Sequence, residues 1–286
     1  MWLRLPIIAC IGLALVCGSL PAAAEPPRRI VSLNLCADQI LIDLVPPDRI
    51  LALSHLAADP KVSAIADRVA GIQLTRGEAE TVLRLDPDLV IAGEFSTPAT
   101  VSLLERMGRR VEKVPLASDI AGVRSLVLHL AKLVGEEARG ATLVTEFDRR
   151  LTAAAPTGPQ PRRPTALVYQ VNGLASGRTS LADAVMRAAG FDNLAARTRL
   201  GPGGQVALET LVASPPDLLV LTGPIDEYRT AVAANLRHPA LRWLMTSRPS
   251  LILPWRQWLC GTPHLATAVE MLAVERARIE AKGHRP

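Results

Sequence analysis

The groups in this chain able to do chemistry are five histidines, four cysteines and a handful of aromatic and basic residues near predicted strand ends. The histidines stand at positions 55, 129, 238, 264 and 284, and no two share the three- or four-residue spacing that lets one helix face hold a metal. No metal site is expected, and each reads as a surface or capping residue, although His55 and His264 sit where they can face a cleft. Cys10 and Cys17 fall in an apolar N-terminal run, which leaves Cys36 and Cys260. Cys36 follows a short apolar run, the position of a thiolate nucleophile, but a single available partner favours half of a disulfide. His55 with Cys36 is the one titratable pair that can be assembled for catalysis. The sequence holds no Gly-x-Ser-x-Gly elbow and no Gly-x-x-x-x-Gly-Lys phosphate loop, and Gly201-Pro-Gly-Gly204 reads as a plain loop. No catalytic residue and no cofactor are expected.

Aromatic residues are scarce, at 3% of the chain, so their placement carries information. Phe95, Tyr169 and the pair Trp255 and Trp258 all follow short apolar runs that read as strands, with Gln170 and Arg256 beside them. Ligands of parallel α/β sheets collect at the carboxyl ends of the strands. Phe95, Tyr169, Gln170, Trp255, Arg256 and Trp258 are therefore the expected ligand-binding residues. Flat rings suit a large, partly apolar ligand, and Arg256 can neutralise an anionic group on it. Ordinary packing of the two tryptophans over a sheet end is the competing reading.

The elements that must hold these residues alternate. The runs Arg29–Leu33, Ile50–Leu53, Leu89–Ala92 and Val111–Val114 read as strands, with helical patterns after Cys36, from Thr97 to Met107, and through Val123, Leu126, Val127, Leu130 and Val134 behind a Ser118-Asp119 cap. Glu136–Ala155 forms one amphipathic helix about 30 Å long at 1.5 Å per residue. Four prolines in residues 156–164 end it. Alternation restarts with Ala166–Tyr169, a helix from Leu181, strands at Leu218–Leu221 and Leu251–Leu253, and a closing helix from Thr262 to Ala281. This predicts an α/β fold: two lobes with parallel sheets joined by one long rigid helix, with the ligand cleft between them. The expected domains are 25–135, the connecting helix 136–155, the joint 156–164 and 165–286.

The halves share a segment. Glu80-Thr-Val-Leu-Arg-Leu-Asp-Pro-Asp-Leu-Val-Ile recurs as Glu209-Thr-Leu-Val-Ala-Ser-Pro-Pro-Asp-Leu-Leu-Val, and both Glu80 to Glu209 and Asp88 to Asp217 span 129 positions. Each copy reads as short helix, proline turn and buried strand.

Residues 1–24 combine Arg4, an apolar run from Leu5 to Leu20, Pro21 and Ala22-Ala23-Ala24, a cleaved secretory signal by pattern. An uncleaved anchor is the alternative, though the run falls short of the roughly 20 residues a spanning helix needs. Removing these 24 of the 286 residues takes one arginine away, leaving 31 Lys and Arg against 27 Asp and Glu, a net charge of +4. That small excess, with arginine pairs scattered at 109–110, 149–150 and 162–163, excludes a nucleic-acid partner. Export also puts Cys36 and Cys260 in an oxidising compartment, where they are expected to pair; two unpaired buried thiols are the alternative.

The order of Val31-Ser-Leu33, Glu80–Ile91, the long helix before a proline-rich joint, Glu209–Leu221 and the Thr262-Pro263 helix resembles the periplasmic binding proteins for cobalamin and iron-siderophore complexes. The resemblance covers nearly all of the chain after the signal. It implies a monomeric periplasmic protein without enzymatic activity, which captures an iron chelate (siderophore or haem) or a corrinoid and delivers it to an inner-membrane ABC permease. It also implies that Glu80 and Glu209, one per lobe, dock onto permease arginines; a helix-start carboxylate favoured by the macrodipole is the plainer account of each. Cobalamin binders in the family carry an acidic residue and aromatics before the last helix. This chain has Arg256-Gln257-Trp258 there, which shifts the expectation toward an anionic chelate. An exported enzyme or a metal chaperone acting on a metal chelate is the rival reading.

Overall fold

The computed structural model describes residues 25–158, 162–197, 201–223 and 230–283. The signal-like segment 1–24 and residues 159–161 of the proline joint lie outside the described residues.

Short, almost wholly apolar runs give strands buried on both faces, the signature of a parallel sheet covered by helices. The first sheet holds β1 (Ile30–Ser32), β2 (Ile50–Ser54), β3 (Gln73–Thr75), β4 (Leu89–Gly93) and β5 (Val111–Val114), all parallel in the order β3-β2-β1-β4-β5. Every residue of β4 is buried. Around this sheet lie α1 (Leu35–Leu44), α2 (Ala79–Arg84), α3 (Pro98–Arg106) and α4 (Ile120–Val134). Local chemistry starts two of them where the sheet needs a turn. Asn34 Oδ1 accepts the Ala37 N–H at 2.9 Å to cap α1, and Asp119 Oδ1 accepts the Gly122 N–H at 2.6 Å to cap α4.

Helix α5 (Glu137–Ala154) follows α4 directly and spans about 27 Å at 1.5 Å per residue. It packs closely: a Cβ added at Gly140 would lie 2.3 Å from the Ala131 methyl on α4, so only glycine allows this approach. The second sheet contains β6 (Thr165–Val168), β8 (Asp192–Asn193), β10 (Leu218–Leu221) and β11 (Ser250–Ile252), parallel in the order β11-β10-β6-β8. An antiparallel pair, β7 (Leu174–Ser176) with β9 (Gly203–Gln205), stands beside it, so part of the glycine-rich stretch expected as loop is a short strand. Helices α6 (Leu181–Ala188), α7 (Leu208–Ala213), α8 (Pro239–Ser247) and α9 (Leu265–Gly283) complete this half.

The two halves share one core. A single apolar cluster runs from Ile30, Ile40 and Leu89 through Phe147 on α5 to Met186, Leu218, Val220 and Leu272. Polar ties reinforce it. Arg150 on α5 grips the Glu270 carboxylate of α9 with two bonds of 2.8 and 2.7 Å, and Arg276, 7% exposed, donates to Ala189 O at 2.5 Å and Ala154 O at 3.3 Å. A guanidinium at the carbonyl ends of α5 and α6 serves both helix dipoles. The repeat also has a structural use. Asp88 accepts the Arg28 and Arg29 N–H groups at 2.7 and 3.0 Å, and Asp217 accepts the Thr165 N–H at 2.8 Å, so each aspartate ties its turn to the start of its half's central strand.

Candidate functional site

Strands β1, β2, β4 and β5 all end on one edge of the first sheet, and the loops leaving them enclose a cavity of about 250 Å³. Its walls come from Leu33 to Cys36 after β1, Ser54 and Leu56 at the end of β2, Glu94 to Ser96 after β4, and Val114 to Ala117 from the end of β5 onward. Leu126 of α4 adds to them, and the remaining wall is Leu259, Cys260 and Gly261, contributed by the C-terminal half. The rim keeps large apolar groups in solvent: Phe95 is 83% exposed, Leu116 52%, and Leu56 and Leu259 39% each. Exposed apolar side chains gathered around a concavity mark a binding surface. Glu94 is the one charged residue among the lining groups.

A smaller cavity of about 150 Å³ adjoins it and shares Leu33, Ser54, Leu56, Phe95 and Ser96. Its other walls are polar: His55, Thr75, Arg76, Gly77, Thr97 and Thr100, with no carboxylate. His55 Nδ1 is buried without a hydrogen-bond partner, and Arg76 is exposed. The pair of cavities is therefore divided chemically. One accepts an apolar edge, and the other offers hydroxyls, an imidazole and a guanidinium to an anionic or strongly hydrogen-bonding group.

Beneath the floor, Asp38 on α1 is fully buried and accepts the Ser54 N–H at 3.1 Å, while its Oδ1 has no partner. Burial pushes this carboxyl well above the usual carboxylate range, against the opposing pull of hydrogen bonds from Ser32 and Ser54. This carboxyl steadies the end of β2 by accepting the Ser54 N–H. His264, at the start of α9, is held below the ordinary imidazole range chiefly by burial, with Asp43 3.7 Å away pulling the other way.

Cys36 and Cys260 are bonded to each other, with Cα atoms 5.2 Å apart, across a separation of 224 residues. Both line the larger cavity, and so does Phe95. The other expected ligand contacts fall elsewhere. Tyr169 is 1% exposed and packs with Leu167, Leu219 and Leu241, because its side chain turns from the strand end into the helical layer rather than the cleft. Trp258 is 5% exposed and belongs to the shared core, with Trp255 half-buried against it at a ring separation of 6.0 Å. The rings of Tyr169 and Trp258 are packed into the interior. Gln170 serves its own turn, its carbonyl accepting from Asn235 Nδ2 at 2.9 Å, and Arg256 reaches the Pro60 carbonyl at 3.4 Å. Neither they nor Trp255 line the two cavities. Glu80 and Glu209 lie exposed in the first turns of α2 and α7, without an ion pair or side-chain hydrogen bond.

The residues that the sequence did not single out are Leu33, Leu56, Leu116 and Leu259, together with Arg76. The signal was available for three of them, since Leu33, Leu56 and Leu116 stand one or two positions past the ends of β1, β2 and β5. Among the described residues, no cluster of three His, Cys, Asp or Glu is placed to hold a metal, and no helix is long and apolar enough to cross a membrane.

Comparison with known proteins supports one family. Residues 30–244 match the family model described as periplasmic binding protein. A cobalamin-binding protein of Halobacterium salinarum is 29% identical over 217 residues, covering 75% of this chain and 58% of that protein. The chain thus spans little more than half the length of that relative. Among solved structures, the apo periplasmic heme-binding protein RhuT of Roseiflexus superposes with a TM-score of 0.69 at 22% identity, covering 88% of this chain and 98% of that one. The periplasmic vitamin B12 binding protein BtuF of Vibrio cholerae gives 0.65 at 19% identity, covering 90% and 99%. At these identities the structural likeness speaks for the fold.

Proposed function

This chain belongs to the periplasmic binding protein family, and we propose that it captures a corrinoid in its cleft and passes it to an ABC permease, without chemistry of its own. The observation that carries this reading is the division of the cleft into a cation-free apolar chamber and a small polar annex bearing Arg76 and His55. A corrinoid presents methyl-studded macrocycle edges, neutral amide arms and a single phosphodiester, which matches one apolar wall and one site for an anion. A ferric tris-catecholate brings several negative charges and needs several cations. The apolar chamber offers none, and Arg256, which had favoured an anionic chelate, is turned to the Pro60 carbonyl. The similarity to a cobalamin-binding protein supports the same choice.

Delivery rests on Glu80 and Glu209. Their matched places in the repeat, their exposure and their lack of an intramolecular partner support a pair of docking carboxylates, one on each half, for cations of the permease. Phe95 lies against the ligand from the first half. Titration calorimetry with cyanocobalamin, haemin and a ferric tris-catecholate tests the assignment. Cyanocobalamin is expected to bind at least tenfold more tightly than the other two; the reverse order refutes the corrinoid reading.

A further inference from the structure

The bond between Cys36 and Cys260 joins two walls of one cavity. Cys36 lies in the first turn of α1, beside Leu33 and Asn34, and Cys260 sits between the wall residues Leu259 and Gly261. A staple that served only to stabilise the chain would have no reason to place both of its residues on the ligand surface. The segment that carries Cys260 belongs to the C-terminal half, anchored at one end by buried Trp258 and at the other by Leu265 at the start of α9. Between these anchors it crosses to the first half and lies flat on it. A Cβ at Gly261 would come within 2.5 Å of the Ala117 methyl and 2.7 Å of its carbonyl oxygen, so the backbone itself is the contact. Beyond it, Thr262 donates to Gln39 Oε1 at 3.2 Å in a buried pair. His264 beside Asp43 at 3.7 Å and the long Arg256 bond to the Pro60 carbonyl at 3.4 Å add only weak polar ties, which leaves the disulfide as the one covalent tie that keeps Leu259 in the wall.

We propose that this disulfide is a positioning element of the binding site: a covalent strap that seats the loop from Leu259 to Gly261 on the first half and so sets the shape of the apolar chamber. The proposal rests on the cleft reading above but not on which ligand fills it. Two consequences follow from the geometry. Opening the bond frees a wall and weakens ligand binding, although α5, α9 and the shared core still hold the two halves together. Reciprocally, a ligand in the chamber covers the sulfur pair and slows its reduction, because binding and bond opening draw on the same surface.

The test uses the exported chain, oxidised and unmodified. Dithiothreitol breaks the S–S bond to two protein thiols and is itself oxidised to its cyclic disulfide; iodoacetamide then caps the thiols and the reductant is removed. Affinities for cyanocobalamin, haemin and the ferric tris-catecholate are measured on the oxidised and capped forms, with circular dichroism as a check on folding, and again on the Cys36→Ser, Cys260→Ser double variant. The expected result is at least a tenfold loss of affinity for whichever probe the oxidised protein binds. Reduction of the native sequence, followed by the mass gained on alkylation, should slow at least fivefold at saturating probe, a readout that stands even if the variant folds poorly. Affinity within twofold after reduction, or a reduction rate indifferent to ligand, overturns the strap and leaves a staple for stability. Binding of haemin or the ferric chelate in place of cyanocobalamin removes the corrinoid reading while the strap stays tested on that probe. Binding of none of the three overturns both.

Discussion

Phe95 offers the sharpest separation between binding and folding. The ring is 83% exposed in the free protein, yet it lines both cavities at the end of β4. A phenylalanine presents about 200 Å² of surface, so roughly 165 Å² of it faces solvent here. A ligand seated in the chamber and covering half of that removes about 80 Å² of apolar area from water. At about 25 cal/mol per Å² the contribution is about 2 kcal/mol, or about thirtyfold in Kd at 1.4 kcal/mol per decade. Phe95→Ala is therefore expected to weaken cyanocobalamin binding about thirtyfold by calorimetry. Its unfolding free energy should stay within about 0.5 kcal/mol of the parent, because so exposed a ring contributes little to the core. Phe95→Leu should recover part of the loss, since an aliphatic side chain restores area without the flat face. A Kd within twofold of the parent for Phe95→Ala would show that the ligand does not lie against the first sheet's rim.

Two further outcomes test other parts of the molecule. Glu80→Arg and Glu209→Arg should each leave ligand affinity within twofold but lower ligand-stimulated ATP hydrolysis by a reconstituted permease, by about 5- to 140-fold if each contact is worth about 1 to 3 kcal/mol; unchanged stimulation by the double variant removes the docking role. Asp38→Asn tests the raised carboxyl next to Ser54: burial makes the folded chain hold its proton more tightly than the unfolded chain, whose ordinary value is 3.8, so stability drains away as pH rises past that point. The asparagine variant should gain stability over the parent at pH 7 and lose that advantage near pH 4 in denaturant titrations, and a difference constant across this range refutes the upward shift.

The fold was legible because apolar runs such as Leu89–Ala92 and Leu218–Leu221 are long enough to be buried strands and because the proline joint interrupts an otherwise continuous alternation. Strands β3 and β9 escaped notice since Gln-Leu-Thr and Gly-Gly-Gln carry no apolar pattern and are held by their neighbours. The site was harder. Tyr169 and Phe95 both follow a strand, yet one ring is buried and the other exposed, because one step along the backbone reverses the side chain's direction and composition does not fix that step. Leu56 and Leu116 stand just past strand ends but were passed over for the opposite reason: among 49% hydrophobic residues a leucine in a loop does not stand out. Only the convergence of four strand ends gives these leucines a common purpose.

The repeat clarifies how the two halves divide their work. Asp88 and Asp217 perform the same internal task, tying a proline turn to a strand start, so the Pro-Asp part of the repeat is accounted for by folding alone. Glu80 and Glu209 have no internal task, although they keep the same 129-residue offset. The cavities show no such matching. Nearly all of their walls come from the first half, and the second contributes a single loop held by Cys36–Cys260. A permease built from two like subunits would present its cations in pairs and so would favour matched carboxylates on the two halves, whereas a corrinoid has no twofold symmetry to match. On the docking proposed here, the halves remain alike where they would face a symmetric partner, and they differ where they would face an asymmetric ligand.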